Sequence, residues 1–365
     1  MPKEPDFPPA EPGSGLHSGF PAGLLQWHRT ANRRTMPWKG ERDPYKIWLS
    51  EIILQQTRVE QGTAYYLRFL EAFPTIGHLA RASDDTVYKL WEGLGYYSRC
   101  RNLIHTARYI QEQHGGSFPS DYPSILALKG VGPYTAAAIA SFAFNLPHAV
   151  LDGNVFRVLS RITGNDTPVD STAGKTSFAR LAEALLPADQ AAEYNQAIMD
   201  FGASVCKPVP LCTQCFYQTE CTAFRTGRQG VLPVKEKKTA VRARWFHYAV
   251  LKYENRWLLR QRTEKDIWQQ LYEFLLLETE GPLDDAAFAA RLEQQYGIGP
   301  DRYTLAQVWD TKPQRLSHQL IHFSFRVFVL QRPLEVKGAE WLDAEGLLRL
   351  PLPRTLQAVR TLLLR

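Results

Sequence analysis

Four of the five cysteines fall within sixteen residues, Cys206, Cys212, Cys215 and Cys221, in the pattern C-x5-C-x2-C-x5-C. Four thiolates at this spacing can close round a single 4Fe-4S cubane. A structural zinc would accept the same four ligands, although zinc sites more often pair two C-x2-C knuckles and here there is one. Clustered cysteines without a secretory leader point to metal in a reducing compartment and away from disulfides. Cys100 stands apart and reads as a packed thiol.

Two carboxylates carry a different chemistry. Glu51 lies in IWLSEIIL, where its neighbours at helical spacing are Ile47, Trp48, Leu54 and Gln55. Apolar surroundings disfavour its charged form, so it is expected to donate a proton near neutrality. Asp152 precedes Gly153, Asn154 and a helical run, and is expected to cap that helix. Helix N–H donors and the helix dipole would favour its ionised form. One neutral acid facing one anion is the arrangement that cleaves glycosidic bonds. The alternative for each residue alone is an exposed glutamate and a plain cap.

The third feature is LKGVGPYTA, Leu128 to Ala136. Gly130 and Gly132 let the backbone turn sharply and aim N–H groups at an anion, and the helix opened by Pro133 adds its positive end. This is the shape of a helix-hairpin-helix, though a lone GxG also marks an ordinary turn.

The elements around these residues divide into two kinds. From Phe20 to about Arg225 the pattern is helical throughout. Asp43-Pro44 starts one helix, and others are expected at 84–91, 98–113, 121–128, 133–144, 171–186 and 190–204. After Asp152, the residues Val155, Val158, Leu159 and Ile162 form one apolar stripe. Beyond Trp245 strands dominate: a hairpin about Glu254-Asn255, then FLLLE, YTLAQVW and IHFSFRVFVL, with helices at 284–296 and 355–364. The organisation expected is a tail over 1–19, a helical domain over 20–225, a basic linker over 226–244 and an α+β module over 245–365.

At 365 residues two domains are the prior expectation, and 44% hydrophobic with 22% charged residues is an ordinary globular balance. The opening MPKEPDFPPAEPGSG has no apolar core and reads as a disordered tail, not a signal peptide. The longest uncharged stretch, Gly130 to Leu151, is broken by turn residues and does not read as a membrane span. Between Arg225 and Arg244 lie seven basic residues (Arg225, Arg228, Lys235, Lys237, Lys238, Arg242 and Arg244) against one acid, Glu236. This segment reads either as a strap that tracks phosphates or as a solvated linker.

Taken together, WLSEIILQQTRV, GLGYYSR, LKGVGPYTAAAI, LDGNVFRVLSR and the four cysteines resemble the endonuclease III superfamily, and within it the MutY type of adenine glycosylase. The resemblance implies an all-α helix-hairpin-helix glycosylase domain with an iron–sulfur cluster, followed by an α+β Nudix-like domain. It implies a monomeric cytoplasmic enzyme, in a bacterial cytosol, acting on double-stranded DNA with adenine opposite 8-oxoguanine or guanine. Glu51 would protonate adenine at N7, and Asp152 would stabilise the sugar C1′, with Asn154 and Tyr134 ordering the site. Gln56 and Tyr96 would enter the base stack beside the partner base, and Thr57, Gly130, Gly132 and Lys39 would contact DNA. Tyr134 occupies the position where bifunctional lyases carry lysine, which favours a monofunctional hydrolase over an endonuclease III-like lyase. Ser317 and His318 match a loop that inspects the base opposite adenine, and the acidic helix of a magnesium-binding Nudix box is missing. Three positions depart from the family pattern: Leu316 for Phe, Lys39 for Arg, and five residues between Cys206 and Cys212 where six are usual. A DNA-binding scaffold and a ferredoxin-like electron carrier are the rival classes. The first leaves the carboxylate pair unexplained, the second the hairpin and the C-terminal half.

Overall fold

The computed structural model describes His17, residues 19–236 and residues 240–364. Twelve α-helices among these residues precede the first strand: α1 (Gly19–Thr30), α2 (Pro44–Leu54), α3 (Val59–Ala72), α4 (Ile76–Arg81), α5 (Asp84–Trp91), α6 (Ser98–Gln113), α7 (Tyr122–Leu126), α8 (Pro133–Phe144), α9 (Gly153–Thr163), α10 (Thr172–Leu185), α11 (Ala191–Ser204) and α12 (Thr222–Arg225). The C-terminal half runs β1 (Arg242–Tyr253), β2 (Arg256–Gln261), β3 (Tyr272–Glu273), β4 (Leu275–Thr279), α13 (Asp285–Tyr296), β5 (Tyr303–Arg315), β6 (Gln319–Leu330), β7 (Ala339–Leu342), α14 (Ala344–Arg349) and α15 (Arg354–Leu363). No helix among the described residues is long and apolar enough to cross a membrane. The expected tail lies outside the described residues apart from His17 and Gly19.

By contacts the chain forms two compact units, Met1–Tyr66 with Glu112–Lys237, and Leu67–Gln111 with Lys238–Arg365. These units cut the chain differently from the linear division at 225 and 245, because the helical stretch 67–111 clusters with the C-terminal half. Two hydrogen bonds join these parts of the unit. Lys89 Nζ donates to the Leu350 carbonyl at 3.2 Å, and the Leu352 amide donates to Glu92 Oε1 at 2.9 Å.

In the first unit, local sequence sets each helix start. The Asp43 side chain accepts from the Tyr45 amide and Pro44 supplies the first turn of α2. The α9 stripe Val155, Val158, Leu159 and Ile162 is buried against Phe20, Phe178, Ile198 and Phe201. At roughly 25 cal/mol per Å² of apolar surface, such side chains contribute about 1.5–3 kcal/mol each. Gly202 of α11 is required by close approach: a Cβ there would sit 2.7 Å from the Asn154 Cβ and 3.1 Å from its carbonyl oxygen.

In the second unit the sheet order is β3-β2-β1-β6-β5, with β4 also pairing β1 and β7 pairing β2. The β1–β2 hairpin turns at Glu254, whose φ of 53° is left-handed, as expected for that turn. Strand β1 runs parallel to β6, from Arg242 opposite Gln319 to Lys252 opposite Val329. The β5–β6 hairpin has Leu316-Ser317-His318 as its tip, closed by the Leu316 amide bonding the Gln319 carbonyl at 2.8 Å. Helix α13 presents Gln294 and Gln295, not a row of carboxylates, and its Asp285 is bonded by Arg326.

Part of the basic segment is held in place by ion pairs and backbone bonds, while Arg225, Lys235 and Arg242 are exposed. Lys237 and Lys238 lie outside the described residues. Arg228 pairs with Asp166 at 2.8 Å, and the Val234 carbonyl accepts from the Val169 amide at 3.0 Å, so this stretch is docked on the helical unit. Arg244 is buried in β1 and bonded to Asp266 and Glu278. A charge count registers these cations, but their partners come from distant parts of the chain.

Candidate active site

A cavity of about 570 Å³ opens in the helical unit, and its lining brings together Glu51, Tyr134, Asp152 and Asn154. Glu51 projects from α2, a helix whose face buries Ile47, Trp48, Ile52 and Ile53, and is itself only 6% exposed. Burial raises its pKa to about 7, the Tyr134 hydroxyl bond works in the other direction, and the Asp152 charge adds to the rise. The carboxyl therefore holds its proton below about pH 7 and is about half protonated at neutrality, in the direction expected. Tyr134 follows Pro133 at the start of α8, and burial holds its phenol far above the ordinary range, so it stays a neutral donor to Glu51.

Asp152 caps α9: Oδ1 accepts from the Val155 amide at 2.7 Å and Oδ2 from Asn154 Nδ2 at 2.7 Å. The cap is where the sequence places it, but the expected lowering of its pKa is corrected. Burial outweighs both hydrogen bonds, and the carboxyl lies above the ordinary aspartate value. The two acids are thus not opposed by the sign of their shifts. They differ in hydrogen bonding, since two donors face Asp152 as an anion acceptor while Glu51 receives the phenol.

Behind this pair lies a chain of bonds invisible in the motif. Arg157 Nη2 donates to Asn154 Oδ1 at 2.9 Å and to the Gly202 carbonyl at 2.6 Å, while its Nε donates to the Cys206 carbonyl at 2.8 Å. Arg161, buried, donates to the carbonyls of Lys207 and Pro208 at 2.6 and 2.9 Å and approaches Cys206 Sγ at 3.5 Å. Burial raises the pKa of Cys206, Cys215 and Cys221, and these thiols and Cys212 lie near enough for neighbours among the four to add to the rise. No set of three or more His, Cys, Asp or Glu among the described residues is grouped so as to hold a metal ion.

The remaining candidates fall in several places. Gly130 has φ 82° and Gly132 caps α8 without a side chain, leaving backbone N–H groups at the hairpin. Gln56 and Thr57 line the cavity, and Gln56 has φ 57°. Tyr96, in the second unit, has φ 48°, is exposed, and shares a 2.6 Å hydrogen bond with the Ser317 hydroxyl. Non-glycine residues in the left-handed region cost about 1–3 kcal/mol and concentrate at functional sites. His318 lines a second cavity with Tyr96 and Ser317. Lys39 is turned inward: Nζ donates to the Arg34 carbonyl at 2.8 Å and to buried Asp200 at 2.9 Å. Arg34 and Asn32 bond the same carboxylate, so Lys39 belongs to a charge cluster around Asp200, with part of its side chain still exposed. Trp38, Arg34 and Gln196 line the first cavity and were not singled out by sequence, because they belong to no recognisable spacing. Arg157 lies off the apolar stripe of α9, and that polar position was the signal available.

Residues 49–184 match the family described as HhH-GPD superfamily base excision DNA repair protein, and residues 247–362 match the NUDIX domain. An adenine DNA glycosylase of Buchnera aphidicola subsp. Baizongia pistaciae (strain Bp) is 36% identical over 256 residues, 69% of this chain and 72% of that protein. The chain belongs to the adenine DNA glycosylase family. The human adenine DNA glycosylase is 40% identical over 216 residues, covering 56% of this chain and 39% of the human protein. Among solved structures, a thermostable thymine-DNA glycosylase aligns with a TM-score of 0.54 at 29% identity, over 58% of this chain and 97% of its own. The chain is accordingly a DNA glycosylase with an HhH-GPD helical half and a Nudix-like C-terminal half.

Proposed function

We propose that the glycosylase hydrolyses the N-glycosidic bond of adenine opposite 8-oxoguanine or guanine in duplex DNA, and leaves the strand intact. The reading rests on one observation above all, a protonated Glu51 in the same cavity as the capped Asp152. Glu51 would protonate the departing base at N7. Asp152, accepting from the Val155 amide and Asn154, would stabilise the positive charge that develops at C1′. The base must leave the stack to enter this cavity, which suits the left-handed Gln56 at its edge. Ser317 and His318 on the β5–β6 tip would read the partner base, with Tyr96 as the wedge beside it. The domains proposed are the catalytic 20–225, the linker 226–244 and the base-reading 245–365. One chain carries the whole carboxylate site, consistent with a monomer, and the clustered thiols suit a reducing cytosol.

Cys206, Cys212, Cys215 and Cys221 would hold a 4Fe-4S cluster. Four neighbouring thiols are the donor set it takes, and Arg157 and Arg161 beside Cys206 suit the negative charge that thiolate ligation brings. When bound, the cluster would supply a covalent staple for the loop between α11 and α12. Through Arg157, this chain's own residues connect that loop to Asn154 and hence to Asp152.

Two outcomes follow. Excision measured under single-turnover conditions is expected to fall as pH rises through about 7, because Glu51 must hold its proton to act. A folded pKa above the ordinary glutamate value also contributes stability that is full at acid pH and lost as pH rises through about 7. A rate that stays flat from pH 6 to 9 would refute the proton donor. Separately, borohydride should trap no wild-type adduct with DNA, while Tyr134→Lys, which places an amine in the cavity, should give some. Efficient trapping by the wild type would establish a lyase instead.

A further inference from the structure

The second unit contains a cavity of about 480 Å³ whose lining includes Tyr96, Arg101, Trp268, Gln269, Ser317 and His318. One wall is the Leu316–His318 tip. Another is formed by Asp266, Ile267, Trp268 and Gln269, within the segment from Thr263 to Gln270. In this segment Trp268 and Gln270 are both left-handed, with φ 59° and 74°, a conformation unfavourable for side chains of this kind. Strain persists only where the surroundings over-determine it, and here they do. Arg262 Nε donates to the Ile267 carbonyl at 3.1 Å, the Gln270 amide to the Arg262 carbonyl at 2.7 Å, and Gln269 Nε2 to the Thr263 carbonyl at 2.8 Å. Arg101 bonds the Gln269 amide oxygen.

The strongest hold is on Asp266. Arg244 grips it with two bonds, 2.9 and 2.6 Å, and Arg262 adds a third at 2.9 Å. Burial works against ionisation of Asp266, yet the Arg244 bonds overcome it and its carboxyl lies below the ordinary aspartate value. The same Arg244 grips Glu278 with two bonds, 2.7 and 2.8 Å, and its Nη1 reaches Gln319 Oε1 at 3.1 Å. Gln319 immediately follows the tip, and its carbonyl closes the tip by accepting from the Leu316 amide. The guanidinium rests on the Phe246 ring, 4.7 Å from the centroid, which fixes its plane.

We propose that Thr263–Gln270 is a second specificity-determining wall of the cavity that reads the partner base, and that Arg244 is the positioning residue holding this wall and the Leu316–His318 tip in register. The proposal rests on the assignment of Ser317 and His318 to base reading. A planar fork is needed because one cation must engage Asp266, Glu278 and Gln319 at once, and an ammonium cannot do so bidentately.

The test is the ratio of single-turnover excision rates on A:8-oxoguanine and A:G duplexes, at fixed salt, with the full chain. Arg244→Lys is expected to lower this ratio about tenfold, the scale of one lost base contact. Gln319→Ala removes one leg and leaves the β6 backbone pairing intact, so it guards against simple misfolding. It should lower the ratio about threefold, on the scale of one neutral hydrogen bond. Arg260→Ala is the control, because Arg260 bonds Glu273 but neither Asp266 nor Gln319, and should keep the wild-type ratio. A folded Arg244→Lys or Gln319→Ala protein with the wild-type ratio would overturn the proposal. So would an Arg260→Ala protein that loses as much as Arg244→Lys. Ser317→Ala separates the two levels: if it too leaves the ratio unchanged, the base-reading assignment itself has failed.

Discussion

Replacing Glu51 by Gln is expected to leave binding of a lesion duplex close to wild type while excision falls by about 10²–10⁴-fold, the typical worth of a positioned general acid. The substitution is nearly isosteric, and its amide oxygen can still accept from the Tyr134 hydroxyl. Burial already keeps the native side chain neutral below about pH 7, so the variant imitates the resting charge of the site. What it lacks is the proton. Gel-shift affinity and single-turnover rates measured on one preparation separate the two effects. A variant retaining more than about a tenth of the wild-type rate would remove Glu51 from the chemistry.

Asp152→Asn is expected to keep the fold and lose about 10²–10³-fold in excision, the range seen when one preorganised electrostatic stabiliser is deleted. Asparagine caps a helix as well as aspartate does, so the bond from the Val155 amide survives and α9 should keep its start. The negative charge is gone, and Asn154 must rotate its amide to avoid pointing a donor at a donor. Thermal unfolding read beside the excision rate distinguishes a cap from a catalytic anion. If stability and activity fell together, Asp152 would be only a cap. If neither fell, it would be dispensable.

Much of the site was legible because its chemistry is local. The caps at Asp43 and Asp152 and the Gly130–Gly132 turn are short-range patterns, and the helices they delimit, α2, α8 and α9, begin where those residues require. The protonated state of Glu51 followed from apolar neighbours one helical turn away. The sign of the Asp152 shift did not follow, because a cap is visible in sequence and the burial that outweighs it is tertiary. Charge was the least legible property. Arg244 and Lys39 looked like cations free for DNA, yet each neutralises a carboxylate far along the chain, Asp266 and Asp200. The β5–β6 tip was visible as a loop, whereas the strained wall at Trp268 and Gln270 carries no turn residue to announce it. Strand β7 and helix α14 were missed because each is short, four and six residues.

The most direct measurement is incubation of the purified full chain with an A:8-oxoguanine duplex, with free base and strand products resolved before and after alkali. The account predicts stoichiometric release of adenine, an intact strand before alkali, and cleavage at the target site after it. Strand breakage without alkali, or binding with no adenine released, would contradict it.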